Sequence, residues 1–187
     1  MELEKTLTHF TSIFLVLLMV ASLFMTGCSK QAKTTVTNFQ ITAEEIVKLM
    51  EANEINPLLG YAVADGVFST PSELWIATDF SSDLKNFQFY LKDSQWVAEE
   101  NDCDDFARGA AFFAQLLHHN TRNKIQQTAL AFGEFWYKQQ NVGYHAIDFA
   151  VVRDQQLKLK VVFYEPQLKQ IITLTRAEKL SCLHWRL

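Results

Sequence analysis

The spacing of apolar residues changes near residue 123, and this change divides the chain into a helical part and a strand part. Before it, apolar residues recur three or four positions apart, as on one face of a helix. Thr42 with Glu45, and Thr70 with Glu73, have the spacing of capping boxes. They predict one helix running to about Asn53 and a short second helix that ends near Trp75.

A third predicted helix begins at Cys103, where Asn101 or Asp102 can cap its first turn, and it runs to about Asn120. Helical spacing places several alanines on the same face as Cys103. These are Ala107, Ala110, Ala111 and Ala114. Small side chains allow close packing, and apolar residues cover most of this helix, so we expect it to be central and buried.

After residue 123 the apolar positions alternate, which predicts strands over residues 128–137, 144–152, 157–165 and 170–174. Helices followed by strands favour an α+β fold, with the Cys103 helix packed on an antiparallel sheet. Pairing Ile147 with Phe163 puts apolar residues on one face of the middle hairpin. The same register places His145 directly opposite Glu165.

A cysteine, a histidine and an acid, in this chain order, predict a thiol nucleophile with its base and an orienting group. We assign Cys103 as the nucleophile, His145 as the base and Glu165 as the residue that orients His145. The acidic neighbours of Cys103 favour the neutral thiol, so we expect a His145 cation to hold it as a thiolate. Gln95, with the Cys103 backbone N–H, is the candidate oxyanion donor, and Trp96 is a candidate cover for the site or a substrate contact.

Three less specific interpretations stay open. Cys103 could be a packed, inert cysteine, and His145 with Glu165 could be a structural pair. We expect no cofactor, although the acidic residues near Cys103, which could simply cap the helix, are an alternative calcium site. The candidate calcium ligands are Asp102, Asp104 and Asp105.

The N-terminus has the pattern of a targeting segment. Residues 10–24 are mostly apolar but too few to span a bilayer comfortably. Residues 25–28, Met-Thr-Gly-Cys, resemble the end of a bacterial lipoprotein signal, which implies cleavage before Cys28 and a lipid anchor on that residue. We therefore expect a signal peptide over 1–27, a polar tether over 28–38 and one domain over 39–187. An uncleaved signal anchor is the alternative.

Either interpretation places the domain outside the cytoplasm, in the cell envelope. With two membranes, Ser29 after the cysteine favours the outer membrane. The formal charge of −4 over 187 residues gives no indication of nucleic-acid binding. Cys182 is expected to be a small packed residue.

The three motifs resemble the papain-like/transglutaminase-like cysteine protease superfamily. Residues 101–107, Asn-Asp-Cys-Asp-Asp-Phe-Ala, are similar to the Gly-Asp-Cys-Glu-Asp-Tyr-Ala motif of bacterial transglutaminase-like proteinases. Residues 144–146 resemble their Gly-His segment, and residues 164–167 resemble their Asp-Pro-Thr segment with glutamate in place of aspartate. The C-terminal cysteine-protease domain of a fungal agglutinin, which also uses Cys, His and Glu and depends on calcium, is similar as well.

This resemblance implies an envelope lipoprotein with a thiol-dependent peptidase or acyl-transfer domain that acts on a peptide or protein. The sequence favours an enzyme over the first alternative, a non-catalytic envelope domain that binds a protein or peptide. A second alternative is a cell-wall peptidase of the NlpC/P60 type. In that family the cysteine is followed by Ser-Gly, whereas Asp104 and Asp105 follow Cys103 here.

Overall fold

A computed structural model describes residues 39–90, 102–121, 128–139, 143–154 and 156–187. The predicted signal peptide and tether, with Cys28, lie outside these ranges, and so do Gln95 and Trp96. Among the helices of the five ranges, none is long and apolar enough to cross a lipid bilayer.

Six strands form the larger sheet, in the order β2-β9-β5-β6-β7-β8. Neighbouring strands are antiparallel except for the short parallel pair β2–β9. The strands are β2 (Tyr61–Ala62), β5 (Phe132–Gln139), β6 (Gly143–Arg153), β7 (Leu159–Glu165), β8 (Gln170–Ile172) and β9 (Cys182–Arg186).

A second sheet of three short strands has the order β1-β3-β4, in which β3 and β4 are parallel. Its strands are β1 (Gln40–Thr42), β3 (Val67–Ser69) and β4 (Ala129–Leu130). The prediction of a single antiparallel sheet is therefore wrong. Strands of two or three residues are too short for an alternating pattern to reveal them.

Five α-helices are present in the described ranges, and a π-helical segment, Ile76–Phe80, joins α2 to α3. They are α1 (Ala43–Ala52), α2 (Glu73–Trp75), α3 (Ser81–Tyr90), α4 (Cys103–Thr121) and α5 (Arg176–Leu180).

The first predicted capping box forms and the second does not. The Thr42 side chain accepts a hydrogen bond from the Glu45 N–H, and the Glu45 carboxylate accepts one from the Thr42 N–H. At α2 the cap is Ser72, which accepts from the Trp75 N–H at 3.0 Å. Thr70 is buried, and its hydroxyl donates to the Phe39 carbonyl at 3.3 Å instead of capping the helix.

The two faces of the larger sheet carry separate apolar clusters. Helix α4 packs on one face, where Ala110 and Ala114 meet Phe132 and Ala150. Helix α1 contributes to the cluster on the other face, which includes Trp185. Helix α4 is not buried all round, because Phe112 is exposed.

The β6–β7 hairpin differs by two residues from the predicted register. Phe149 is opposite Phe163, not Val161. Each residue nevertheless keeps its predicted face, because a shift of two preserves the alternation. The cause is the connection between the strands: the Asp154 carboxylate accepts from the Gln156 and Lys158 N–H groups, which makes the connection longer than predicted.

Candidate functional site

Cys103 lies in the first turn of α4. The preceding Asp102 accepts a hydrogen bond from the Asp104 N–H at 3.3 Å through its side chain, and from the Phe106 N–H through its carbonyl. The first of these bonds satisfies an N–H group that the start of a helix leaves without a partner, and the second is the first regular bond of the helix. Cys103 is partly buried and is a free thiol.

His145 and Glu165 form a close pair across the hairpin. His145 Nε2 lies 2.7 Å from Glu165 Oε2, and the two side chains are only 15% and 8% exposed. The observed register makes them diagonal neighbours, which long side chains can bridge. Glu165 Oε1 accepts a hydrogen bond from the Gln167 N–H at 3.1 Å, so both carboxylate oxygens have partners.

One cavity of about 520 Å³ brings the three predicted residues together. Four of its lining residues were not predicted. Of these, Tyr144 and Leu168 are exposed, and Gln167 lies only two positions after Glu165 in the sequence. The cavity is lined by Asp102, Cys103, Gln139, Tyr144, His145, Glu165, Gln167 and Leu168.

The electrostatic surroundings favour the neutral form of Cys103. Burial raises the pKa of this thiol above its usual value. The Ala146 backbone N–H donates to the sulfur and lowers the pKa, whereas the charges of Asp102 and Asp104 raise it. The expected resting ion pair of a Cys103 thiolate with a His145 cation is therefore not what this environment favours. A base must remove the thiol proton when the sulfur reacts.

The other cysteine of the described ranges, Cys182, is a free thiol in β9 and is buried. Burial raises the pKa of Cys182 to about 12. It is packed, as the sequence predicts, and at neutral pH it is a weak nucleophile.

The three acidic candidates for calcium lie together at the start of α4. Ligand oxygens of Asp102, Asp104 and Asp105 are all within 4.8 Å of one another. The Arg108 guanidinium contacts Asp104 at 2.9 Å and Asp105 at 3.2 Å, so one positive charge already offsets part of the charge of this cluster. A hydrogen bond with Asp102, followed by burial, raises the pKa of Asp104. The expectation of no cofactor, with calcium as its alternative, stays untested.

Comparisons with known proteins find matches only among solved structures. No family model matches the chain, and no curated protein matches it. A solved complex of PSL1a, the Polyporus squamosus lectin, with E64 matches 79% of this chain at 21% identity and a TM-score of 0.60. A second structure, the Polyporus squamosus lectin bound to Neu5Acα2-6Galβ1-4GlcNAc, also matches 79% at 21% identity, with a TM-score of 0.58. The chain spans about half the length of these lectin chains, 50% and 49%.

These matches correct the family and function predicted from the sequence. The second structure is named as a lectin and the first as a complex of PSL1a, which is the same lectin, and neither is named as a papain-like protease. They contradict the predicted papain-like/transglutaminase-like α+β core and the predicted thiol-dependent peptidase or acyl-transfer domain. They contradict the NlpC/P60 alternative as well. The non-catalytic alternative is partly closer, since a lectin is a binding protein.

The matches also bear on the predicted partners. The sequence gives no indication of nucleic-acid binding. The lectin matches are consistent with a partner of another kind, such as a carbohydrate. A lipid anchor on Cys28 and a peptide substrate have no support in them. The envelope location stays a prediction, because residues 1–38 lie outside the described ranges.

Proposed function

We propose that this domain binds an electrophilic small molecule in the 520 Å³ cavity and that Cys103 forms a covalent bond with it. The observation that carries the proposal is the 2.7 Å contact between His145 Nε2 and Glu165 Oε2 in the cavity that also contains Cys103. A thiol, an imidazole and a carboxylate in one cavity are the parts of an activated nucleophile.

The residues have separate roles in this proposal. His145 Nδ1 takes the Cys103 proton as the sulfur attacks, and Glu165 stabilises the charge that forms on the ring. With an epoxide such as E64, the sulfur bonds to a ring carbon while the carbon–oxygen bond breaks. The oxygen then takes the proton from His145 and becomes a hydroxyl group. That PSL1a forms a complex with E64 supports the choice of this probe.

The first test is labelling with E64, followed by intact mass and peptide mapping. We expect an adduct on Cys103 and none on Cys182, because burial keeps the Cys182 thiol protonated. Cys103→Ser should abolish the adduct at position 103, and the matched variant Cys182→Ser should leave that adduct unchanged. Absence of the Cys103 adduct on folded, reduced protein, or equal labelling of Cys103 and Cys182, would refute the proposal.

Carbohydrate binding is a second candidate, favoured by the glycan complex of a lectin with the same fold. The cavity offers groups that suit sugar hydroxyls: the Gln139 and Gln167 amides, the Glu165 carboxylate and the open ring of Tyr144 at the rim. The match covers only half of the lectin chain, so the activity must be tested on this chain itself.

Calorimetric titration with the neutral disaccharide Galβ1-4GlcNAc and its sialylated form tests this candidate. We expect the neutral sugar to bind more tightly, because Asp102 and Glu165 repel a sialic acid carboxylate. Tyr144→Ala should weaken binding, whereas Tyr61→Ala, which removes an exposed tyrosine outside this cavity, should not. If neither sugar releases or absorbs heat, the carbohydrate candidate is wrong.

A further inference from the structure

A second pocket, of about 200 Å³, lies between helix α1 and the β2–β9 edge of the larger sheet. Its lining is mostly apolar and includes Met50, Ile55 and Trp185. Tyr61 stacks on Trp185 with ring centroids 4.7 Å apart and planes 6° apart. The volume is below the roughly 300–1,000 Å³ of pockets for drug-sized ligands, so it suits one side chain.

Two large apolar side chains are exposed beside this pocket. Leu58 and Leu59 are 72% and 78% exposed, and Tyr61 is 49% exposed. Neighbouring exposed apolar residues of this kind mark interaction surfaces, whereas single ones are ordinary.

The loop that carries these leucines is held in place by strand β9. The Leu58 and Leu59 N–H groups donate to the Cys182 and Leu183 carbonyls at 3.0 and 2.7 Å. His184 Nδ1 donates to the Gly60 carbonyl at 2.8 Å, and Gly60 has a φ of +86° that suits glycine. The exposed leucines are thus presented by a fixed backbone, which reduces the ordering cost of binding.

A charged residue at the pocket indicates the chemistry of its occupant. Glu51 is exposed on α1 and forms no ion pair within the described part of the chain. Its charge complements a cation at the rim.

We infer that the pocket at Tyr61 and Trp185 docks a segment of a partner protein with a large apolar side chain next to a lysine or arginine. The apolar side chain fills the pocket, and the neighbouring backbone lies over Leu58 and Leu59. The basic residue pairs with Glu51. This surface is separate from the Cys103 cavity, and the two share no lining residue.

The test uses two short capped peptides, one with adjacent leucine and lysine and one with leucine and glutamate. Binding is followed by ¹⁵N shifts of the Gly60 and Tyr61 amides. We expect saturable shifts with the leucine–lysine peptide at a Kd of about 1 mM and binding about fivefold weaker for the glutamate peptide. Glu51→Gln should remove this preference, whereas the matched variant Glu44→Gln, on the same helix but outside the pocket, should keep it.

A peptide in which serine replaces leucine completes the design, and it should not bind. Equal binding of the lysine and glutamate peptides overturns the inference, as does the absence of saturable shifts. A neutral methyl glycoside that shifts the same amides more strongly than the peptides would overturn it in favour of a carbohydrate site. E64 labelling of Cys103 is independent of each of these outcomes.

Discussion

His145→Ala should slow the reaction of Cys103 with iodoacetamide by about 10²-fold at about pH 6.5, the size of effect expected when a general base is lost. The structure explains why the base matters so much. Burial raises the pKa of Cys103, and Asp102 and Asp104 raise it further, so very little thiolate forms at this pH without help. His145, held by Glu165 at 2.7 Å, lies in the same cavity and can accept the proton.

The pH profile distinguishes this role from a structural one. The wild-type rate should exceed the rate of the alanine variant most at acidic and neutral pH, where little thiolate forms without a base. The rate of the alanine variant should rise only at the alkaline pH of an ordinary or raised cysteine pKa. Glu165→Gln preserves the size of the side chain but not its charge, and we expect it to lie between the two profiles.

Asp104→Asn should change the labelling rate of Cys103 in the direction opposite to His145→Ala. Removing this negative charge lowers the pKa of Cys103, so the labelling rate at neutral pH should increase. If His145→Ala and wild-type protein give the same rate at every pH, His145 is not the base. The circular dichroism spectra of all variants must match for the rates to be compared.

The sequence predicts the parts of this site better than their electrostatic state. Side chains alternate between the two faces along β6 and β7, and this alternation is enough to place His145 and Glu165 on one face. It holds even though the hairpin register is shifted by two residues. The shift arises from hydrogen bonds of the Asp154 side chain, which a hydrophobic pattern does not encode. The state of Cys103 depends on its burial, which sequence reasoning did not estimate.

Other parts of the fold have little or no local sequence signal. Strand β9 was not predicted, because its five residues mix apolar and polar side chains without clear alternation. Gln139 and Gln167 reach the cavity only because β5 and the residues after β7 end at the same place. The family assignment rested on three short motifs, and such motifs do not define a fold.

The second prediction concerns how the stability of the fold depends on pH. It rests on Asp148, which is fully buried in the middle of β6. Both of its carboxylate oxygens lack a hydrogen-bond partner among the described residues. Its neighbours across the sheet are Glu134 on β5 and Tyr164 on β7. Burial raises the pKa of Asp148 well above its usual value, and the charges of Glu134 and Glu165 raise it further.

Stability should therefore fall as the pH rises. In the unfolded chain Asp148 ionises at about pH 3.9, whereas in the folded protein it stays protonated to a much higher pH. Between the two pKa values the folded state holds one more proton than the unfolded state. Each pH unit in that window lowers the free energy of unfolding by about 1.4 kcal/mol, and the loss ends above the folded-state pKa.

Asp148→Asn should remove this contribution, because an amide of similar size does not ionise. Urea unfolding from acidic to alkaline pH should show the variant gaining stability relative to wild type as the pH rises. The largest gain should lie above the folded-state pKa of Asp148. Asp65→Asn, which changes an exposed aspartate, is the matched control and should follow the wild-type curve.

The difference between the wild-type and Asp148→Asn curves isolates one proton, because the other titrating groups are common to both proteins. Parallel curves would show that Asp148 ionises normally in the folded protein, and thus that a cation or water satisfies its oxygens. A curve for Asp148→Asn that rises above wild type with increasing pH would show the opposite, that the folded protein keeps position 148 buried only by holding a proton there. The amide is buried without taking up a proton, so its advantage over the natural residue should be largest at alkaline pH.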